Sequence, residues 1–182
     1  MMAGVPDARF DAVQLYKFVT GRDPRLDNGP TPDEASSLRV LGERRAAREP
    51  LQYLLGTQGF YGLEIRTDAR ALIPRQETET LCETGIAHLR ALGPLPPPAA
   101  LDLCTGTGAV AVALARLGGL AVTATDISAG ALALARENAR QNEVSLALYE
   151  GDLFDALPAG LRFPLITCNP PYLTAQDMEN LQ

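Results

Sequence analysis

The feature that most constrains this chain is the alternation of short apolar runs with helical runs across residues 99–169. "AALDLC" reads as a strand and "TGTGAVAVALARL" as a glycine turn entering a helix. "GLAVTATD" is a second strand, "ISAGALALARENARQN" a second helix, and "VSLALYEGD" and "RFPLITCN" a third and a fourth strand. Strands separated by helices of about a dozen residues predict an α/β parallel sheet with right-handed crossovers. The strand runs are nearly continuous in apolar residues, as they are when both faces of a sheet are covered.

Upstream the pattern is different. Asp7 to about Leu55 reads as helical. "DAVQLYKFVTG" ends in Gly21 as a C-cap, and Thr31 caps a second helix with Pro32 at its first position. "GTQGFYGLEIRT", with Leu63, Ile65 and Thr67 alternating, predicts a β-hairpin closed by Pro74. "RQETETLCETGIAHLRAL" then resumes a helix, and "GPLPPPAA" is a stiff connector. The expected organisation is a helical domain over residues 1–55, a hairpin linker over 56–75 and an α/β domain over 76–182.

Charge and composition exclude several functions. The net charge is −6 and the pI about 4.8, which argues against a duplex-DNA binder, since such a protein needs basic surface. Lys17 is the only lysine and His88 the only histidine; Cys82, Cys104 and Cys168 lie far apart with no CxxC spacing. No metal site is expected, and reduced thiols in a cytoplasmic protein are the simple reading. The N-terminus lacks a signal pattern, and no apolar run approaches the roughly 18 residues of a membrane span.

Three constellations carry chemistry. In "DLCTGTG", Asp102 to Gly108, a glycine turn between strand and helix lets a ligand approach the backbone and the helix N-terminus. Asp126 ends the next strand, placed to accept hydrogen bonds from ribose hydroxyls. No basic group stands near this loop for a phosphate, so a nucleoside cofactor without phosphates fits, S-adenosylmethionine above all. In "EGDLF", Asp152 with Leu153 or Phe154 could bracket an adenine; a solvated loop acid is the alternative.

The third constellation is "NPPY", Asn169 to Tyr172, at the tip of the fourth strand. A plain turn is one reading. The other depends on strand order. If the first strand lies between the second and the fourth, Asn169 and the glycine turn flank one crevice at the carboxyl ends of the strands. A planar amide or aromatic amine is a poor nucleophile because its lone pair is delocalised. The Asn169 side-chain oxygen and the Pro170 carbonyl could hold both of its hydrogens, orient the nitrogen toward a sulfonium methyl and favour developing positive charge. Proline fixes its own φ, and Tyr172 can stack on a planar group.

In order and spacing, "DLCTGTG", "TD", "GDLF" and "NPPY" resemble class I S-adenosylmethionine-dependent methyltransferases that act on amino groups. "REPLQYLLGTQGFYGLEIRTDARALIPRQETETL", Arg48 to Leu81, closely resembles the segment before the core in the glutamine methyltransferases of peptide chain release factors. The resemblance covers nearly the whole chain. It implies a Rossmann-like methyltransferase sheet behind a small helical domain, and N5-methylation of the glutamine in the GGQ loop of release factors. By motif position Asn169, Pro170, Pro171 and Tyr172 would bind that glutamine, with Asn169 and Pro170 catalytic. Cys104, Thr105, Gly106, Thr107, Gly108, Asp126, Asp152, Leu153 and Asn169 would bind the cofactor. Arg75 stands where the family borders its active site, or in a hairpin-end salt bridge. Cys104 replaces a usual Gly and Gln76 a usual Pro.

The chain ends ten residues after Tyr172, where the family continues with about three more strands. The expectation is an incomplete sheet with an exposed fourth strand, and a chain weakly stable and poorly active alone. The expected enzyme is a cytoplasmic monomer that binds neither nucleic acid nor membrane. Rival readings are a glutamine methyltransferase of a ribosomal protein, an adenine-N6 nucleic-acid methyltransferase, and a non-catalytic cofactor-binding remnant.

Overall fold

The computed structural model describes residues 5–92 and 99–171, so the connector residues 93–98 and Tyr172 lie outside the described residues. The chain divides into two compact units, 1–57 and 58–182.

The first unit holds α1 (Ala8–Thr20), α2 (Pro32–Ala46) and α3 (Leu51–Leu55). Leu15, Leu51 and Leu54 form its small core, with Leu38, Leu41 and Leu55 against them. α1 stops at Gly21, whose N–H donates to the Lys17 carbonyl at 2.8 Å. α2 starts with a capping box. The Thr31 hydroxyl accepts the Glu34 N–H, and the Glu34 carboxylate accepts the Thr31 N–H at 2.7 Å. Asp11 is buried on α1 and answered by Arg45 at 2.7 Å, which offsets the cost of desolvating the acid.

The second unit opens with the hairpin β1 (Thr57–Phe60) and β2 (Leu63–Arg66). Tyr61 and Gly62 both have positive φ, as a two-residue turn matched to strand twist requires. Phe60 and Ile65 point into the core of this unit, as does Thr67 just past β2, while Glu64 and Arg66 stay exposed. A 3₁₀ turn (Gln76–Thr78) then leads into α4 (Glu79–Ala91). β3 (Ala99–Leu103), α5 (Ala109–Gly118), β4 (Ala121–Asp126), α6 (Ala129–Gln141), β5 (Leu146–Glu150) and β6 (Leu165–Cys168) follow. A second 3₁₀ turn, Leu153–Ala156, lies between β5 and β6.

The four strands β3 to β6 form one parallel sheet in the order β5-β4-β3-β6. The chain runs from β3 outward to β5, then returns to the other side of β3, so strand order reverses between β3 and β6. The alternation of strands and helices is thus realised as an α/β sheet. The central strands read as expected, with Ala100, Leu101, Val122 and Ala124 buried. β5 and β6 differ. They end the strand order among the described residues, and Ile166 on β6 is 47% exposed. α5 is built from small residues, and Ala109 to Leu114 are all buried. It packs against α4 and α6.

Candidate active site

The site lies where β3, β4 and β6 end. Leu103 is in register with Thr125 on one side and Cys168 on the other, so the residues after each strand emerge together. The expected crevice of Asn169 and the glycine turn is therefore present, because β3 sits between β4 and β6.

The turn is held by its own backbone. The Thr105 N–H donates to the Thr125 carbonyl at 3.0 Å and the Gly108 N–H to the Thr105 carbonyl at 2.8 Å. Cys104 has φ 55°, a left-handed conformation that costs about 1 kcal/mol for a residue with a Cβ. The Asp126 carboxylate accepts the Gly106 N–H at 2.8 Å through one oxygen and the Ser128 N–H at 2.9 Å through the other. Asp126 is thereby fixed in orientation, and each oxygen keeps lone-pair capacity for a further donor.

Two cavities meet here and share Cys104 and Asn169. The larger, about 400 Å³, is lined by Thr125, Asp126, Ile127, Gly151, Asp152, Leu153, Pro170 and Pro171 besides the shared pair. The smaller, about 70 Å³, is bounded by Leu72 to Arg75 and Thr78 on one side and by Asp102 and Thr105 to Thr107 on the other. Asp126, Asp152, Leu153, Pro170 and Pro171 thus gather in one cavity, and Thr105, Gly106 and Thr107 in the other. Arg75 borders the smaller cavity. Gly108 lines neither: a Cβ there would stand 2.8 Å from the Ala135 Cβ, so this glycine serves the packing of α5 on α6.

Three polar residues were not singled out from sequence. Asp102 is 2% exposed and accepts from the Thr105 hydroxyl at 2.6 Å and the Thr167 hydroxyl at 2.8 Å. Burial pushes its carboxyl up to about 6, against those two hydrogen bonds and an Ala111 N–H at the start of α5, which pull it down. The Thr125 hydroxyl is buried on the wall of the larger cavity and has no hydrogen-bond partner among the described residues. Thr78 accepts from the Asn169 Nδ2 at 3.4 Å, which turns the Asn169 carbonyl oxygen away from it. Asp102 and Thr125 lie inside motifs quoted for other reasons. Nothing local marks Thr78, since its partner is 91 residues away.

Comparison with known proteins agrees with this arrangement. Residues 1–56 match the PrmC N-terminal domain and residues 87–181 the methyltransferase small domain. A release factor glutamine methyltransferase of Geobacter sulfurreducens is 41% identical over 186 residues, covering 98% of this chain and 63% of that protein. One of Deinococcus radiodurans is 42% identical, covering 96% and 63%. A ribosomal protein uL3 glutamine methyltransferase of Xanthomonas campestris is 41% identical, covering 85% and 53%. The chain spans about 63% of the length of the first two. Among solved structures, the N-terminal domain of human METTL16 superposes with a TM-score of 0.52 at 19% identity, over 93% of this chain and 66% of that one. A Pyrococcus abyssi tRNA (uracil-54, C5)-methyltransferase in complex with S-adenosyl-L-homocysteine gives 0.51 at 17% identity, over 69% and 31%. These two likenesses concern the fold alone.

Proposed function

We propose that this chain, which belongs to the methyltransferase small domain family, belongs to an enzyme that methylates the side-chain amide nitrogen of a glutamine in peptide chain release factors, with S-adenosylmethionine as donor. The observation that carries the reading is that Asn169 and Cys104, the first residue of the glycine turn, border the same two cavities, with Gly106 on the wall of the smaller.

The residues present fit the cofactor. Asp126 holds its carboxylate oxygens in place for ribose hydroxyls, and Ile127 and Leu153 offer apolar surface to a planar base. The buried Thr125 hydroxyl on the cavity wall calls for a polar partner from a ligand. Among the described residues no Lys or His lines the cavities and the only cation is Arg75, so a cofactor without phosphates suits them. When bound, S-adenosylmethionine supplies a methyl group made electrophilic by its sulfonium.

The chain's own residues do the rest. With its NH₂ toward Thr78, Asn169 presents Oδ1 as an acceptor for one substrate N–H, and the Pro170 carbonyl can take the other. Two acceptors hold the amide nitrogen in line and stabilise the positive charge it gains. The proton leaves after transfer, when the methylated amide is a strong acid, so no basic side chain has to remove it beforehand. Tyr172, outside the described residues, would stack on the amide plane.

The uL3-directed relative is similar at a comparable identity, so the glutamine-amide chemistry suits either protein substrate. The match to the PrmC N-terminal domain over residues 1–56 favours release factors. The test is transfer of a labelled methyl group from S-adenosylmethionine to purified release factor. Labelling should require the GGQ glutamine and fall at least about 10²-fold in Asn169→Ala, with the fold largely kept. Label persisting in Asn169→Ala, or on a factor lacking that glutamine, would overturn the proposal.

A further inference from the structure

We propose that Cys104 and Cys168 form a dithiol site at the mouth of the cofactor cavities that an oxidant closes to a disulfide, lowering cofactor affinity. The backbone brings them together. Cys168 is in register with Leu103, the residue before Cys104, on hydrogen-bonded parallel strands. Such strands run about 4.8 Å apart. With the offset of one residue, about 3.3 Å along the strand, that spacing gives a Cα separation of about 5.8 Å, within the range of about 4.4–6.8 Å that a disulfide spans. The two thiols also stand near enough for the Cys168 sulfur to raise the titration of Cys104.

The backbone at Cys104 makes a cysteine there more telling. Its φ of 55° is one that glycine adopts without cost, yet the position carries a thiol, one residue past the register partner of Cys168. Cys168 is exposed and Cys104 partly buried, whereas Cys82 is fully buried and excluded from the pair. Burial and the neighbouring sulfur push the Cys104 thiol up to about 11, so it stays protonated near neutrality. The accessible Cys168 is therefore the first to react.

The oxidant is hydrogen peroxide. The Cys168 sulfur attacks one peroxide oxygen, the O–O bond breaks, and Cys168 becomes a sulfenic acid with release of water. The Cys104 sulfur then attacks the Cys168 sulfur, the S–O bond breaks, and the second water leaves with the Cys104 proton. Two thiols have lost two electrons and two protons, and the peroxide has become two waters. The new S–S bond, about 2.05 Å, draws the glycine turn onto the end of β6, beside the Asn169 shared by both cavities.

The test treats reduced protein with hydrogen peroxide and counts free thiols after denaturation. The count should fall from three to one. Intact mass should drop by about 2 Da and a digest should yield a peptide joining residues 104 and 168. Cys104→Gly, which suits the left-handed backbone, and Cys168→Ser should abolish the cross-link. Affinity for S-adenosylmethionine, by calorimetry, should fall at least about tenfold on oxidation and return with dithiothreitol. Three surviving thiols, a link between chains, or a disulfide that leaves affinity unchanged would overturn the proposal. The effect on affinity rests on the proposed function, but the thiol count does not. Reduced protein that binds no S-adenosylmethionine would sink that function, while the count would still decide the pairing.

Discussion

Replacing Asp102 with Asn should remove a specific pH dependence of stability. Asp102 is fully buried at the end of β3, and desolvation lifts its carboxyl from 3.8 to about 6. The folded state thus holds the proton more tightly than the unfolded chain. Below about pH 4 the group is neutral in both states, and its contribution is fully present. Between about pH 4 and 6 the unfolded chain ionises while the folded protein does not, and stability falls as pH rises. Above about pH 6 both states are ionised and the loss is complete, about 3 kcal/mol for a separation of about two pH units. Asparagine does not titrate, and the other groups cancel when the two proteins are compared. Urea unfolding of wild type and Asp102→Asn from pH 4 to 7.5 should give curves whose difference changes by about 3 kcal/mol, wild type losing ground as pH rises. A difference flat across that range, or one of opposite slope, would refute the burial argument.

Gly108→Ala places a Cβ 2.8 Å from the Ala135 Cβ at a φ of +78°. It should cost about 2–4 kcal/mol, read as a lower thermal midpoint without loss of helical signal. Arg45→Ala leaves the buried Asp11 carboxylate without its cation. It should destabilise the helical unit by about 3–5 kcal/mol in denaturant unfolding, and Arg45→Lys should recover only part of that.

Periodicity and punctuation decide which segments are strands and which are helices, because both are local. The apolar runs became β3 to β6, and Thr31, Pro32 and Gly21 mark helix ends whose hydrogen bonds form within one turn. The glycine turn was legible for the same reason, and so was Asp126, twenty residues past Gly106 at the end of the next strand. Gly108, expected with the cofactor-binding residues, packs against Ala135 and lines neither cavity; a glycine needed for ligand approach and one needed for helix packing look alike in a string of letters.

Strand order is a different kind of fact. The residues near 165–168 say strand, but not beside which strand, because pairing depends on how the chain closes over tens of residues and on which faces its helices cover. The tertiary structure seats β6 against β3, and only that choice brings Asn169 to the glycine turn, Thr78 to Asn169 and Cys168 to Cys104. It also buries Asp102 between Thr105 and Thr167 and so displaces its titration. Sequence determined the pieces and the chemical character of their tips. Which tips share one cavity was decided by long-range pairing, whose energy no local spacing records.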